Sequence, residues 1–431
     1  MQPTKKILII SYYWPPAGGP GVQRWLKFVK YLPDFNIEPH VYIPENPTYP
    51  LIDEKLVNEV TDKAILVKNR IFEPYALASV FSKNNTKKIS SGIIPNQKKQ
   101  TFIEKAMLWI RGNAFIPDAR VFWVKPSVEF LKIYIEAHQI DTIITTGPPH
   151  SMHLIGLQLK KEMQLNWITD FRDPWTTIGY HKELKLSKWA AKKHKSFEKE
   201  VLNTCDAVIV TSPTTKKEFE ALTNKPISVI TNGYDVEKVS TKTMDEKFTL
   251  AHIGSLLSER NPIVLWEVLS ELCTENNEFA TSFQLKLIGA VSAEVIQSIE
   301  NHHLKDYCNL LGYVSHEEAI IEQRASQVLL LLEIDSPETK CIIPGKLFEY
   351  MIAERPILAM GPKNVDFETI IKETNTGTFF TYQDKEALKS QVLVLFDQYK
   401  AGNLKVFPVG LQQYSRKKLT EQLAELIIHN S

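Results

Sequence analysis

The sequence predicts an α/β protein made of two doubly wound, parallel-sheet domains. Three observations carry that prediction. Short, near-continuous apolar runs alternate with longer amphipathic stretches, which marks strands buried on both faces by helices. The alternation runs through one half of the chain and then starts again. Between the halves lies Asn232-Gly233-Tyr234-Asp235 and a polar stretch, Val236–Lys247, the best linker in the sequence. The chain has 431 residues, and at roughly 100–200 residues per domain that allows two or three domains.

In the first half, Ile7–Ile10, Pro39–Ile43, Thr142–Thr146, Leu165–Thr169, Ala207–Thr211 and Ile227–Thr231 read as strands. Val22–Leu32, Pro126–His138, Met152–Glu162 and Ser187–Asn203 read as the helices between them. The second half gives strands at Thr249–Ile253, Gln284–Ile288, Val328–Leu332 and Pro356–Ala359. Its helices are Pro262–Glu275, Val291–Asn301, His316–Arg324 and Lys346–Ala353. Tyr414–Ile428, with Leu419, Leu423 and Leu426-Ile427 on one face, reads as a terminal helix. The expected domains are therefore 1–235, a linker 236–247, 248–410, and a segment 411–431 returning to the first domain.

Composition excludes several classes. The chain is 43% hydrophobic and 23% charged, with 51 basic against 50 acidic residues and a formal net charge of +1. That balance argues against a nucleic-acid coat. Cys205, Cys273, Cys308 and Cys341 are scattered, with no CxxC and no histidine cluster. A disulfide framework and a zinc site are not expected, and a cytoplasmic location is. Runs such as Val328–Leu332 are far short of the roughly 20 apolar residues of a membrane helix.

Region 81–125 departs from the regular pattern. It carries nine Lys or Arg against two acidic residues, interleaved with Phe102, Met107, Leu108, Trp109, Ile110, Phe115, Phe122 and Trp123. Two readings stand: an exposed insertion packed on the first domain, or a basic–aromatic surface for an anionic membrane or lipid-linked acceptor. Lys182–Lys199 is also lysine-rich, but Leu186, Trp189, Ala190, Phe197 and Val201 keep a helical face, so a solvated helix is expected there.

Three loops after strands could hold a phosphate. Trp14-Pro15-Pro16-Ala17-Gly18-Gly19-Pro20-Gly21 is a glycine-rich turn leading into a helix. It lacks the Lys-Ser/Thr of a P-loop, and Arg24 stands where a dinucleotide fingerprint has its third Gly. A tight turn without ligand is its alternative. Pro344-Gly345-Lys346-Leu347-Phe348-Glu349-Tyr350-Met351 places Lys346, Glu349 and Tyr350 at i, i+3 and i+4, on one helix face. A Lys there suits a diphosphate and a Glu one turn on suits sugar hydroxyls; a plain surface ion pair is the alternative. Gly254-Ser255, with Arg260 six residues after the Gly, adds a second cation at a strand end in the same domain.

The order of these motifs resembles the family 4-like glycosyltransferases of the GT-B fold, in which two Rossmann-like domains face each other across a cleft. The likeness also rests on Thr145-Thr146-Gly147-Pro148-Pro149-His150 and Thr169-Asp170-Phe171-Arg172-Asp173-Pro174-Trp175, and it spans nearly the whole chain. It implies a retaining, nucleotide-sugar-dependent transferase. By this resemblance Gly18 and Gly19 lie near the donor phosphates, Arg260 and Lys346 bind the diphosphate, Glu349 binds the ribose, and Gly289 and Val314 frame the base. Gly254 and Gly345 belong to the same donor site, and His150 lies near the transferred sugar. Asp173 could orient the acceptor hydroxyl, with an Asp170–Arg172 pair as the structural alternative; His150 as a buried structural residue is another.

Cys341 stands where the family has the first Glu of its Glu-x7-Glu motif, with Glu333 or Glu338 as possible replacements. The expected partners are a nucleotide-sugar donor and a glycan, lipid-linked or small-molecule acceptor, with peripheral contact to an anionic membrane. No nucleic acid, no cofactor and no metal is expected, and polysaccharide biosynthesis is the expected setting. A GT-B epimerase or hydrolase and a catalytically silent nucleotide-sugar binder remain the alternatives.

Overall fold

The computed structural model describes residues 4–72, 102–179, 181, 184–236 and 242–430. Residues 81–101, the side chains of 102–107, and residues 237–241 of the expected linker lie outside the described residues. The chain forms two compact units, residues 1–232 with 416–431, and residues 233–415.

The first unit holds a seven-stranded sheet in the order β3-β2-β1-β4-β5-β6-β7. Its strands are β1 (Lys5–Ile10), β2 (Ile37–Pro44), β3 (Ile65–Asn69), β4 (Thr142–Gly147), β5 (Asn166–Phe171), β6 (Ala207–Val210) and β7 (Ile227–Val229). Every pairing is parallel. Its helices are α1 (Pro20–Tyr31), α2 (Phe102–Ala114), α3 (Val121–His138), α4 (Ser151–Glu162), α5 (Lys188–Thr204) and α6 (Pro213–Glu220).

The second unit has six strands in the order β10-β9-β8-β11-β12-β13, again all parallel. These are β8 (Phe248–Ile253), β9 (Phe283–Ile288), β10 (Cys308–Gly312), β11 (Val328–Leu332), β12 (Ile357–Met360) and β13 (Gly377–Phe380). Its helices are α7 (Ile263–Glu275), α8 (Asn277–Ser282), α9 (Ala293–Asn301), α10 (His316–Ala325), α11 (Lys346–Ile352), α12 (Asp366–Thr374) and α13 (Lys385–Lys400). The last helix, α14 (Arg416–His429), buries Leu419, Leu423 and Ile427 in the first unit, beside Trp25 and Val29 of α1.

The central strands are buried on both faces: Ile7–Ile10 and Val328–Leu331 are fully covered. Parallel strands need this, because crossover helices occupy both sides of the sheet. In each unit the strand order reverses once, between β1 and β4 and between β8 and β11. At such a reversal the loops leaving the carboxyl ends splay apart and open a place for a ligand. The glycine-rich turn follows β1 and the Gly147–His150 segment follows β4. Gly254 follows β8, and the loop to Lys346 follows β11.

Two expectations change. The polar stretch read as a linker is, in its described part, tied into the second unit. Lys286 of β9 bonds both Asp245 and Glu322, and Lys242 also pairs with Glu322. Trp189, read on the buried face of its helix, is 66% exposed, while Ala190, His194, Val201 and Leu202 face the core.

Candidate functional site

The donor-side residues of the second unit gather at the carboxyl ends of β8, β9, β10 and β11. Gly254 has φ 121°, and a Cβ there would stand 2.9 Å from Lys346 Nζ. Gly289 has φ 116°, and its Cβ would fall 2.6 Å from the Gly254 carbonyl oxygen. Both positions therefore need glycine, for backbone freedom and for space. Hydrogen bonds tie the strand ends together: Gly254 N donates to Ile288 O at 2.7 Å, and Gly289 N to Gly312 O at 2.6 Å. Val314, two residues beyond Gly312, is half-buried. Gly345 has helical backbone, φ −56°, at the start of α11.

Lys346 reaches from α11 to the end of β8, where its Nζ donates to His252 Nε2 at 3.1 Å. His252 Nδ1 lies 3.1 Å from the Leu330 carbonyl, so it carries the proton and leaves Nε2 as the acceptor. Burial, then the Lys346 charge, keeps this imidazole well below its ordinary value and neutral. Burial first, and the Arg260 cation second, push Lys346 down to about 7. Its ammonium is poised to gain an anionic neighbour.

Arg260 is anchored from below. Its Nε and Nη2 donate to the Glu333 carboxylate at 3.1–3.3 Å, and the Glu333 side chain is fully buried. The Arg260 side chain keeps 30% of its surface open, and no hydrogen bond from its Nη1 edge is made among the described residues. Glu333 is thus committed to Arg260 and is not free to replace the carboxylate that Cys341 lacks. Cys341 itself is buried. Glu349 Oε2 accepts from Gln323 Nε2 at 3.1 Å, which orients the carboxylate.

Tyr350, read on the Lys346–Glu349 face, instead enters the core. Its hydroxyl accepts from Ile253 N at 2.9 Å and faces the Ile253 carbonyl at 3.3 Å. His252 and Gln323 were not singled out by the sequence, and Glu333 was read only as a possible replacement for the carboxylate missing at Cys341. A polar residue inside an apolar strand (His252) or at its end (Glu333) was the available signal.

In the first unit, Gly19 has φ 107° and caps α1. Gly18 N donates to Leu51 O at 3.0 Å and Ala17 N to Trp14 O at 2.9 Å, so these two amides of the turn are already spent. A Cβ on Gly21 would overlap Arg172 Nη1 at 1.6 Å, so this glycine makes the space for that guanidinium. Arg172 donates from Nε to Gly147 O at 3.2 Å and from Nη2 to Pro148 O, holding the loop after β4.

The Asp170–Arg172 pair, the structural alternative for this cluster, is not the one that forms. Asp170, fully buried, takes Arg24 Nη2 at 2.9 Å, Trp25 Nε1 at 2.7 Å and Thr146 Oγ1 at 2.8 Å. Burial pushes its carboxyl up, but the Arg24 charge and these donors outweigh that and hold it below the usual range. Arg24, which spoils the dinucleotide fingerprint, is therefore a structural cation.

Asp173, next to Arg172, is pushed up chiefly by burial. His150 lies flat on Trp175, ring centroids 4.7 Å apart, with both ring nitrogens buried and without a protein partner. Burial holds it well below its ordinary value. His153, beside it, bonds Thr145 Oγ1 through Nδ1 at 2.8 Å and is pushed down to about 3 by burial. Among the described residues no group of three His, Cys, Asp or Glu is placed to hold a metal ion. No helix among them is long and apolar enough to cross a membrane.

The fold and these strand-end sites define a GT-B protein. Comparison of structures supports that class throughout the chain. Sucrose-phosphate synthase from Thermosynechococcus elongatus matches with TM-score 0.60 at 15% identity, over 99% of this chain and 98% of the other. WaaG, a glycosyltransferase involved in lipopolysaccharide biosynthesis, matches with TM-score 0.56 at 11% identity, over 98% and 99%. A TarM variant from S. aureus, in complex with fondaparinux, alpha-GlcNAc-glycerol and UDP, gives TM-score 0.56 at 13% identity, over 99% and 98%. A putative UDP-N-acetylglucosamine 2-epimerase from Listeria monocytogenes shares the fold too, with TM-score 0.53 at 12% identity, over 97% and 94%. No curated protein sequence matches. The profile of Glycosyltransferase Family 4 matches residues 95–238. That match covers about a third of the chain, which is similar to the family over those residues, and together with the shared fold it supports a glycosyltransferase.

Proposed function

We propose that the protein transfers a sugar, with retention, from a nucleoside-diphosphate sugar to a glycan or lipid-linked acceptor in cell-surface polysaccharide synthesis. The observation that carries this reading is the pair of cations, Arg260 and Lys346, placed at the reversal of the second sheet around a glycine-only strand end. TarM bound to UDP and WaaG's role in lipopolysaccharide synthesis agree with the donor and the setting.

In the reaction the bond from the sugar's anomeric carbon to the diphosphate breaks, and its electron pair leaves with the phosphate oxygen. Negative charge grows there, beside Lys346 Nζ and the open Nη1 edge of Arg260. A donor aimed at developing charge is worth roughly 3–4 kcal/mol in the transition state. Glu349, oriented by Gln323, is suited to the ribose hydroxyls; Gly289 and Val314 frame the base. These two cations meet the leaving-group charge, so transfer is expected to persist in a chelator.

The acceptor hydroxyl attacks the face the diphosphate leaves, and its proton passes to the departing phosphate oxygen. His150 and Asp173 of the first unit serve the sugar and the acceptor; His150 must turn off Trp175 to expose a ring nitrogen. Thermal shift with a panel of nucleotide sugars identifies the donor, since ligand at 100 times Kd adds about 2.7 kcal/mol. NMR of the anomeric proton then gives the stereochemistry. A β-linked product from an α-linked donor rejects the mechanism.

A further inference from the structure

We propose that the outer face of α5, together with the end of α2 beside it, docks the protein onto an anionic lipid bilayer. This refines the acceptor side of the reading above and leaves its donor side untouched.

Helix α5 is divided sharply. One side buries Ala190, His194, Val201 and Leu202. Lys188, Lys192, Lys195 and Lys199 recur at i, i+4, i+7 and i+11, so they form one stripe along the other side. All four are exposed, as are Lys185 and Lys193. Among the described residues none of these six lysines is in an ion pair; Lys193 only covers the Phe197 ring at 4.4 Å. The acids of the helix offer them nothing: Glu198 is buried and bonded to Thr176, and Glu200 pairs with Lys161. The whole chain has a formal net charge of only +1, so this concentration of positive charge is local.

Apolar surface lies at the same place. Trp189 is 66% exposed in the first turn of α5. Trp109 and Ile110 of α2 are 51% and 45% exposed. Asn113 joins the two helices there, donating to the Trp109 and Lys185 carbonyls and accepting from Ser187 N at 2.7 Å. Large apolar side chains left in water cost free energy unless something covers them. Lysines with interspersed tryptophan suit a bilayer surface, where the indole sits at headgroup depth and the ammonium groups meet anionic phosphates.

The test is co-sedimentation of the full chain with phosphatidylcholine vesicles, and with vesicles containing about 30% phosphatidylglycerol, at about 0.1 M and about 0.5 M salt. Binding is expected on the anionic vesicles at low salt and not on the neutral ones. The triple variant Lys188→Gln, Lys192→Gln, Lys195→Gln should lower partitioning roughly five-fold per lysine at low salt. Trp189→Ala should lower it at both salt levels. All four positions are exposed, so melting temperature and nucleotide affinity should stay those of the wild type. Absence of vesicle binding overturns the proposal, as does binding that the α5 variants leave intact. Loss on neutralising Lys98, Lys99 and Lys105, with α5 variants unaffected, would remove α5 from the docking surface and also overturn the proposal. Binding to nucleic acid in preference to vesicles would do the same.

Discussion

If Lys346 holds the donor diphosphate, donor affinity must depend on pH in a way few surface lysines would produce. Burial and the neighbouring Arg260 hold its ammonium at about 7, against an ordinary 10.5. The unliganded site is then about half charged at neutral pH, and a diphosphate binds the charged half. Apparent affinity scales with the competent fraction, so Kd for UDP should weaken roughly fifteen-fold between pH 7 and pH 8.5. Over that range the terminal phosphate of UDP completes its ionisation, which would strengthen binding, so a weakening belongs to the protein. Isothermal titration in buffers of different ionisation enthalpy should also show proton uptake approaching one at pH 8.5. The variant Lys346→Met should bind weakly with no such slope. A flat Kd in the wild type, with no proton uptake, refutes the reasoning.

The same lysine makes a stability claim with a definite sign. Its folded-state value lies below its unfolded value, so the folded state pays to keep it charged. The penalty is full below about pH 7, where both states are protonated, and disappears as pH rises towards 10.5. At about 1.4 kcal/mol per pH unit it is on the order of 3–5 kcal/mol, an upper figure because the side chain is only partly covered. Lys346→Met should therefore be more stable than wild type at pH 6, measured by urea unfolding, while losing transfer.

Further outcomes follow from the same geometry. Lys346→Ala and Arg260→Ala should each reduce transfer by about 10²-fold, the scale of one lost charge-stabilising donor. Glu349→Ala should chiefly raise the donor Kd, because a ribose contact acts alike in ground and transition states. Gly289→Ala drives a methyl into the Gly254 carbonyl at positive φ, and should cost about 1–3 kcal/mol in unfolding and abolish nucleotide binding. Asp170→Asn leaves Arg24 buried without its partner and should destabilise by roughly 3–5 kcal/mol, read by thermal melting.

The strands that the sequence made legible were those buried on both faces. β1, β4, β8 and β11 are continuous apolar runs because helices cover both sides. β3, β10 and β13 were not read, and each is a sheet edge. β10 has only Leu310 and Leu311 in succession and leaves both exposed; β3 carries the apolar run Ala64–Val67 but buries only Val67 of its strand, so a run alone did not mark it. The donor cations were legible because local spacing carries them: Lys346 and Glu349 lie one helical turn apart. Their supports were not, because Arg260 meets Glu333 from 73 residues away and Lys346 meets His252 from 94. Trp189 misled because helical periodicity defines a face without saying where that face ends.

The fold alone does not separate transfer from epimerisation, since both chemistries are named among proteins of this shape. The separation has to come from side chains. An epimerase or hydrolase needs a carboxylate free to move a proton at the sugar ring. The two carboxylates whose charge reaches Lys346 are Glu333 and Glu349. Glu333 is fully buried and held by three contacts from Arg260, so protonating it would leave that guanidinium without its counter-charge. Glu349 is turned by Gln323 towards a neutral hydrogen-bonding task. Where the resemblance would put a further carboxylate, the chain has Cys341, a buried thiol. What the donor site places together, among the described residues, is two cations, Arg260 and Lys346, with both neighbouring carboxylates already hydrogen-bonded. That is the arrangement the proposed transfer needs, in which the leaving diphosphate takes the acceptor's proton.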